Sequence, residues 1–316
     1  GNIVEDEENL TGTANLKNNY TDILPDVNIR YQVNKDLVIK GAWTTSLARP
    51  RYYDLVPYFN IVPGDQQLAA GNPKLEPVRS TNFDLMVENY FKSVGIISGG
   101  VFYKNINRFF YTYIDNNYTQ GKFATDFPGI TNPIAAGDNW DFSQRRNGDG
   151  ATVWGLEAAI QRQLDFLPGF WKGFGVYLNY TYTHSKAEGI YDGDGQLIRS
   201  NVKLPGAAPH MFNASLSYES KKLVVRLSGN YTSSYVDDSD DAGYNEDPFF
   251  DRYYSKQFFL DANASYAFTP KFRLFAEANN LTNQPLRYYQ GVSDRTAQLE
   301  YYGPRFNMGI KFDLSK

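Results

Sequence analysis

The closing stretch, residues 305–314, splits by parity: Phe306, Met308, Ile310, Phe312 and Leu314 alternate with Arg305, Asn307, Gly309, Lys311 and Asp313. Successive side chains of an extended chain point to opposite sides, so this is a strand with one apolar and one polar face. The pattern recurs upstream. Val27, Ile29, Tyr31 and Val33 oppose Asp26, Asn28, Arg30 and Gln32; Asn34-Lys35-Asp36 makes a turn; Leu37, Ile39, Gly41 and Trp43 resume the apolar side. Phe83, Leu85, Val87 and Phe91 alternate with Asn82, Asp84, Glu88 and Tyr90, and a less regular return strand runs from Val94 to about Thr112. Trp154, Leu156, Ala158 and Ile160 oppose Val153, Gly155, Glu157 and Gln161. Phe174, Val176, Leu178, Tyr180 and Tyr182 oppose Gly175, Asn179, Thr181 and Thr183, with Tyr177 the exception. Further strands are predicted near 208–219, 223–235, 257–268 and 272–280. The total is about eleven, most close to the roughly 9–11 residues that a tilted strand needs to cross a bilayer.

The connections alternate in length. Short turns are expected at Asn34-Lys35-Asp36, near Ser93, at Leu167-Pro168-Gly169, at Ser220-Lys221 and at Thr269-Pro270. Between them, residues 49–77, 113–150, 188–206, 236–255 and 281–298 read as long irregular segments; Pro50, Pro57, Pro63, Pro73 and Pro77 interrupt any ladder in the first. Short turns at one end and long loops at the other are the signature of an up-and-down outer-membrane barrel. A secreted Greek-key sandwich gives no reason for that asymmetry, and no fixed-period repeat points to a propeller or solenoid. The expected fold is therefore all-β: an antiparallel up-and-down transmembrane β-barrel. Residues 1–24 are read as an extracellular loop segment and residues 25–316 as barrel, with long loops extracellular and the C-terminus periplasmic. Bacterial barrels carry even strand numbers and begin in the periplasm. An odd count starting in a loop leads to the expectation of a fragment or processed product, whose free edges are paired by a second polypeptide or by other copies.

Composition sharpens this picture. Mean hydropathy is −0.50, yet the 316 residues include 25 Tyr, 22 Phe and 4 Trp. A polar chain loaded with rings suits aromatic girdles, long polar loops and a wet interior. No run of roughly 18 or more apolar residues supports a transmembrane helix. A net charge of −4 without a basic patch argues against nucleic-acid binding. The chain has no Cys, which removes thiolate and disulfide chemistry. An enzyme is not expected, because the only two histidines, His184 and His210, lie far apart and no Ser/His/acid set can be assembled from spacing.

At this point the residues resemble the C-terminal barrel half of TonB-dependent outer-membrane receptors. The matching stretches stand in family order: Ile23-Leu24-Pro25-Asp26-Val27-Asn28-Ile29-Arg30-Tyr31, Ser46-Leu47-Ala48-Arg49-Pro50, Gly71-Asn72-Pro73-Lys74-Leu75-Glu76-Pro77, Phe102-Tyr103-Lys104-Asn105-Ile106, Val153-Trp154-Gly155-Leu156-Glu157, Asn179-Tyr180-Thr181-Tyr182-Thr183 and Glu277-Ala278-Asn279-Asn280-Leu281-Thr282-Asn283. The resemblance spans nearly the whole chain after residue 22. It implies the second half of a barrel of about 22 strands around a plug, with plug and N-terminal half absent here. It also implies active import of a scarce nutrient, either an oligosaccharide or a ferric siderophore, driven by the TonB complex through the plug. The implied partners are the N-terminal barrel half and plug, the TonB complex, the lipid bilayer, a small nutrient ligand and, as a further candidate, a surface lipoprotein. A passive porin-like channel without a plug is the alternative of a different class.

Two groups of residues are candidates for contact with those partners. Arg49, Arg51, Tyr52, Tyr53, Asp54, Tyr58 and Phe59 gather rings and cations where a strand emerges into a long loop. Rings stack on sugars or catecholate-like groups, and Arg forks bind carboxylates. Arg30, Lys40, Asp84, Glu88, Arg226, Asn230, Asp261, Asn263 and Glu277 fall on the polar sides of their strands, where they would line the lumen or hold the plug. Haem-receptor relatives carry a His among similar boxes, but residues 47–75 contain none, which disfavours haem. Two acidic runs, Asp192-Gly193-Asp194-Gly195 and Asp237 through Asp251, lack the spacing of an EF-hand and read as solvated loops. No metal site and no cofactor are expected.

Overall fold

The structure, a computed structural model, describes residues 20–191, 196–237 and 247–313. Leu314, most of the first loop, the whole run Asp192-Gly193-Asp194-Gly195 and most of the run from Asp237 to Asp251 lie outside the described residues.

The first hairpin is β1 (Asp26–Gln32) and β2 (Leu37–Ala48). Asn34 closes its turn by accepting from the Asp36 and Leu37 amides at 2.9 and 3.0 Å, an Asx turn that presets the register. The connection after β2 holds a short helix α1 (Tyr52–Leu55) and strands β3 (Phe59–Val62) and β4 (Gln67–Ala70) before β5 (Val78–Tyr90) and β6 (Gly95–Asn107). It is followed by β7 (Phe110–Thr119), α2 (Gln120–Asp126), β8 (Asn139–Asn147), β9 (Gly150–Gln163), β10 (Phe174–Tyr191) and β11 (Leu197–Val202). The remainder is β12 (His210–Glu219), β13 (Leu223–Thr232), β14 (Tyr235–Val236), β15 (Arg252–Tyr254), β16 (Gln257–Thr269), β17 (Phe272–Asn279), β18 (Leu286–Gln290), β19 (Thr296–Glu300) and β20 (Arg305–Phe312).

Eleven strands pair in sequence as one antiparallel sheet, β1-β2-β5-β6-β9-β10-β12-β13-β16-β17-β20, with β11 attached to β10. Among the described residues β1 and β20 each have one neighbour, so the sheet is open and not a small closed barrel. The apolar face is bare: Ile29, Leu85, Leu156, Met308 and Ile310 are all exposed. Buried apolar residues are instead concentrated in the long connections.

That concentration corrects the reading of residues 49–77 and 113–150 as irregular. They interleave into a second sheet, β3-β4-β8-β7, in which β4 runs parallel to β8. The sheet has its own core of Leu68, Tyr111, Tyr118, Phe123, Ile134 and Phe142. Tyr118 stacks on Phe142 at 4.2 Å. Residues 236–255 and 281–298 likewise contribute a third sheet, β14-β15-β18-β19. The return strand expected to reach Thr112 ends at Asn107. Arg108 takes a left-handed φ of 60° there, which breaks the ladder and lets Phe109 and Tyr111 enter the second sheet's core. In the segment after it, rings crowd at neighbouring positions, so period-2 counting misses strands that are buried on both sides.

Candidate functional site

The end of the molecule that carries the long connections is a layer of ordered lobes, and the first candidate group sits where β2 enters them. Arg51 stands before α1 and grips Asp54 through both forks: Nε to Oδ2 at 3.0 Å and Nη2 to Oδ1 at 2.9 Å. Asp54 is buried, and its carbonyl accepts from the Asn72 amide at 2.6 Å. The Gly71-Asn72-Pro73 motif is the joint beneath the helix. A Cβ on Gly71 would lie 1.8 Å from the Val56 carbonyl, so only glycine permits this approach. Asn72 donates to the Arg145 carbonyl at 3.0 Å, and Gln144 donates to the Gly71 carbonyl at 3.1 Å.

Supported in this way, α1 presents Tyr52 and Tyr53, 90 % and 61 % exposed. Tyr53 lies against Tyr58 with centroids 4.4 Å apart. Arg49 stands to one side, its Nε 3.1 Å from the Tyr20 hydroxyl. Phe59 is turned the other way: it packs on Phe127 and Phe123 at 4.9 and 5.9 Å, inside the lobe. The structure thus groups Arg51, Tyr52, Tyr53, Asp54 and Tyr58 around α1, and leaves Phe59 with the core.

The second candidate group lies on the polar face of the main sheet. Arg30 opposes Lys40, Arg226 opposes Asn263, and Asn263 opposes Glu277. Lys40 and Glu88 form an ion pair at 2.6 Å, and the Tyr90 hydroxyl donates to Glu88 at 2.7 Å. Asp261 accepts from the Asn280 amide at 2.8 Å and so also shapes a turn. Asp84 follows the same parity, opposite Ala42 and Phe102. Asn230 opposes Asn213 and Phe259.

The histidines lie on the apolar face instead. His210 Nδ1 is 2.9 Å from the Tyr180 hydroxyl, and the His184 ring is 5.4 Å from that of Trp154. Among the described residues no cluster of His, Asp and Glu could hold a metal ion.

A further aromatic surface was not singled out from the sequence. Arg252-Tyr253-Tyr254 on β15 and Arg287-Tyr288-Tyr289 on β18 pair antiparallel, Tyr253 against Tyr289 and Tyr254 against Tyr288. The first pair stacks at 5.1 Å with 6° between ring planes; the second sits at 4.9 Å, with Tyr235 5.5 Å from Tyr254. The Arg252 guanidinium lies over Tyr288 at 5.1 Å and bonds Asp237 at 2.6 Å. Burial raises the Tyr253 and Tyr254 hydroxyls above their ordinary range. At the rim, the Tyr302 hydroxyl donates to Glu300 and holds that carboxyl below its ordinary value. The available signal was the tripeptide Arg-Tyr-Tyr, which occurs at 51–53, 252–254 and 287–289, each time in a long connection.

The family model described as TonB dependent receptor-like, beta-barrel matches residues 4–281. The chain belongs to this family. Its members are transport receptors of the outer membrane, not enzymes. Among solved structures, a mutant of the ferric enterobactin receptor from Pseudomonas aeruginosa, in complex with enterobactin, superposes with a TM-score of 0.61 at 16 % identity over 92 % of this chain and 40 % of that one. A copper transporter gives 0.58 at 14 % identity, over 91 % of this chain and 39 % of that one. The unliganded ferric citrate transporter gives 0.56 at 15 %, over 91 % and 37 %. No curated protein matches the chain significantly. At these identities the likeness establishes the fold, and the chain spans about 40 % of the length of the receptors it resembles. No helix among the described residues is long and apolar enough to cross a membrane; a TonB-dependent receptor barrel crosses with strands.

Proposed function

We propose that this chain is the C-terminal half of the barrel of a receptor that imports a scarce nutrient across the bacterial outer membrane at the expense of TonB-delivered energy. The observation that carries the reading is the open eleven-strand sheet with ordered lobes at one end only. Strands of the N-terminal half would complete the ladder at β1 and β20, because unpaired edges are not tolerated in lipid. The polar face carrying Arg30, Lys40, Asp84, Glu88, Arg226, Asn230, Asp261, Asn263 and Glu277 then lines the lumen and meets the plug, through which TonB acts. Residues 20–24 and the lobes are extracellular, and the C-terminus is periplasmic.

The α1 group receives cargo. Tyr52 and Tyr53 offer exposed ring faces, and Tyr58 backs Tyr53. Arg49 adds a cation beside them, a combination that suits an anionic, ring-bearing ferric siderophore. The relatives described as receptors or transporters of ferric enterobactin and ferric citrate support that cargo class. An oligosaccharide is the second reading, favoured by the paired tyrosines of β15 and β18, whose flat faces suit sugar rings. Growth of a deletion strain under iron limitation with single ferric siderophores, compared with growth on single glycans, tests the choice. A defect confined to iron limitation is the expected result, and a defect confined to glycans would replace the first reading by the second.

A further inference from the structure

The apolar face of the main sheet dips around Gly41. Ile29, Gly41, Leu85 and Val101 stand side by side in register on β1, β2, β5 and β6, and in the next row Trp43, Phe83 and Tyr103 do the same. Large side chains therefore flank Gly41, which has none. A Cβ built on Gly41 would meet only the Asp84 carbonyl, at 4.0 Å, so close packing does not require the glycine. An open groove of about 380 Å³ lies over it, lined by Ile29, Gly41, Trp43, Phe83, Leu85 and Tyr103 among others.

One row further toward the lobes the same parity turns polar. Thr45 opposes Thr81, and Thr81 opposes Asn105. A trough of hydrocarbon thus ends under three rings and then under two hydroxyls and an amide. That sequence of chemistries matches one lipid molecule read from its chain to its headgroup: methylenes, an interfacial belt where amphipathic rings sit, then hydrogen-bonding groups.

We infer that the groove at Gly41 seats one acyl chain of a membrane lipid, its headgroup meeting Thr45, Thr81 and Asn105. The inference rests on the transmembrane reading above, since the groove is continuous with the lipid-facing band. In this groove a chain would lie between Ile29 and Leu85 and reach the Gly41 backbone.

The test uses the complete receptor containing this chain, reconstituted in phosphatidylethanolamine vesicles with a trace of the same lipid bearing a diazirine in one acyl chain. After irradiation, labelled peptides are mapped by mass spectrometry. Label should concentrate on Ile29, Gly41 and Leu85 over Leu216 and Leu227, which oppose each other on β12 and β13 outside the groove. Gly41→Leu, which puts a side chain into the groove over Gly41 and displaces roughly two methylene contacts, should lower that excess about tenfold while leaving Leu216 and Leu227 unchanged. Uniform labelling of the band in the unmodified receptor would overturn the groove, and needs no variant to fold. Labelling at none of these sites would instead overturn the embedding on which the inference rests.

Discussion

The Tyr111 hydroxyl donates to the Tyr191 carbonyl at 3.0 Å and accepts from the Tyr191 amide at 3.1 Å. Tyr111 belongs to the lobe sheet and is fully buried; Tyr191 ends the longest strand of the main sheet, where its ladder with β11 slips register after Ile190. One side chain thus bonds both backbone groups of the residue at which the ladder slips. It also couples the lobe to the barrel. Tyr111→Phe leaves both groups without that partner, at about 1–3 kcal/mol each. Hydrogen exchange in the complete receptor should rise at β7, β8 and residue 191 and stay unchanged in β12 and β13; unaltered protection of the lobe would show that the coupling lies elsewhere.

The two aromatic ends of the α1 region should separate by substitution. Tyr52→Ala removes an exposed ring and should weaken cargo binding about tenfold, the worth of one stacked ring, without moving the unfolding midpoint. Phe59→Ala removes a ring packed on Phe123 and Phe127 and should destabilise the lobe by about 3 kcal/mol. Titration of cargo against each variant, with thermal unfolding alongside, checks both. A stability loss in the Tyr52 variant with unchanged affinity would remove that ring from the binding surface.

Gly71→Ala should be severe for a group that never meets ligand. The added methyl would collide with the Val56 carbonyl, so α1 must leave its seat and carry Tyr52 and Tyr53 with it. Cargo affinity should fall at least about tenfold while the barrel still assembles, as judged by heat-modifiable migration of the complete receptor. Retained affinity would mean that the position of α1 is irrelevant to cargo.

The lobe should loosen in alkali. Tyr118 is buried and donates to Asp126 at 2.7 Å. Burial first, then that carboxylate, push its hydroxyl well above the ordinary value of 10.0. A raised folded-state pKa means that the stabilisation is whole below pH 10 and is lost as pH climbs above it. Proteolysis of the lobe should therefore accelerate above about pH 10, and less so in Tyr118→Phe. Equal acceleration in both would place the alkaline sensitivity at other groups.

The main sheet was legible because most of its strands obey one rule, and Phe306 to Phe312 shows it most openly. A strand between bulk apolar and polar surroundings must alternate, and short turns such as Asn34-Lys35-Asp36 fix where it reverses. The lobes were not legible for the opposite reason. Tyr111, Tyr113, Tyr118 and Phe142 are buried within one connection, so their strands need not alternate, and β4 finds its parallel partner β8 some seventy residues away. Of the α1 group, its position was visible in Arg49 to Phe59, but nothing local announces that Arg51 is engaged with Asp54 or that Phe59 turns inward. The paired tyrosines of β15 and β18 were hidden by distance, although the repeated Arg-Tyr-Tyr marked both halves.

The central claim is active import through a plugged barrel that this chain half completes, and uptake with and without energy coupling tests it most directly. Cells expressing the complete receptor, with TonB intact or deleted, are given a radiolabelled ferric siderophore that binds the receptor. Surface binding in both strains, with uptake only where TonB is present, is the predicted result. Uptake that persists at the same rate without TonB would contradict the account and leave a passive channel in its place.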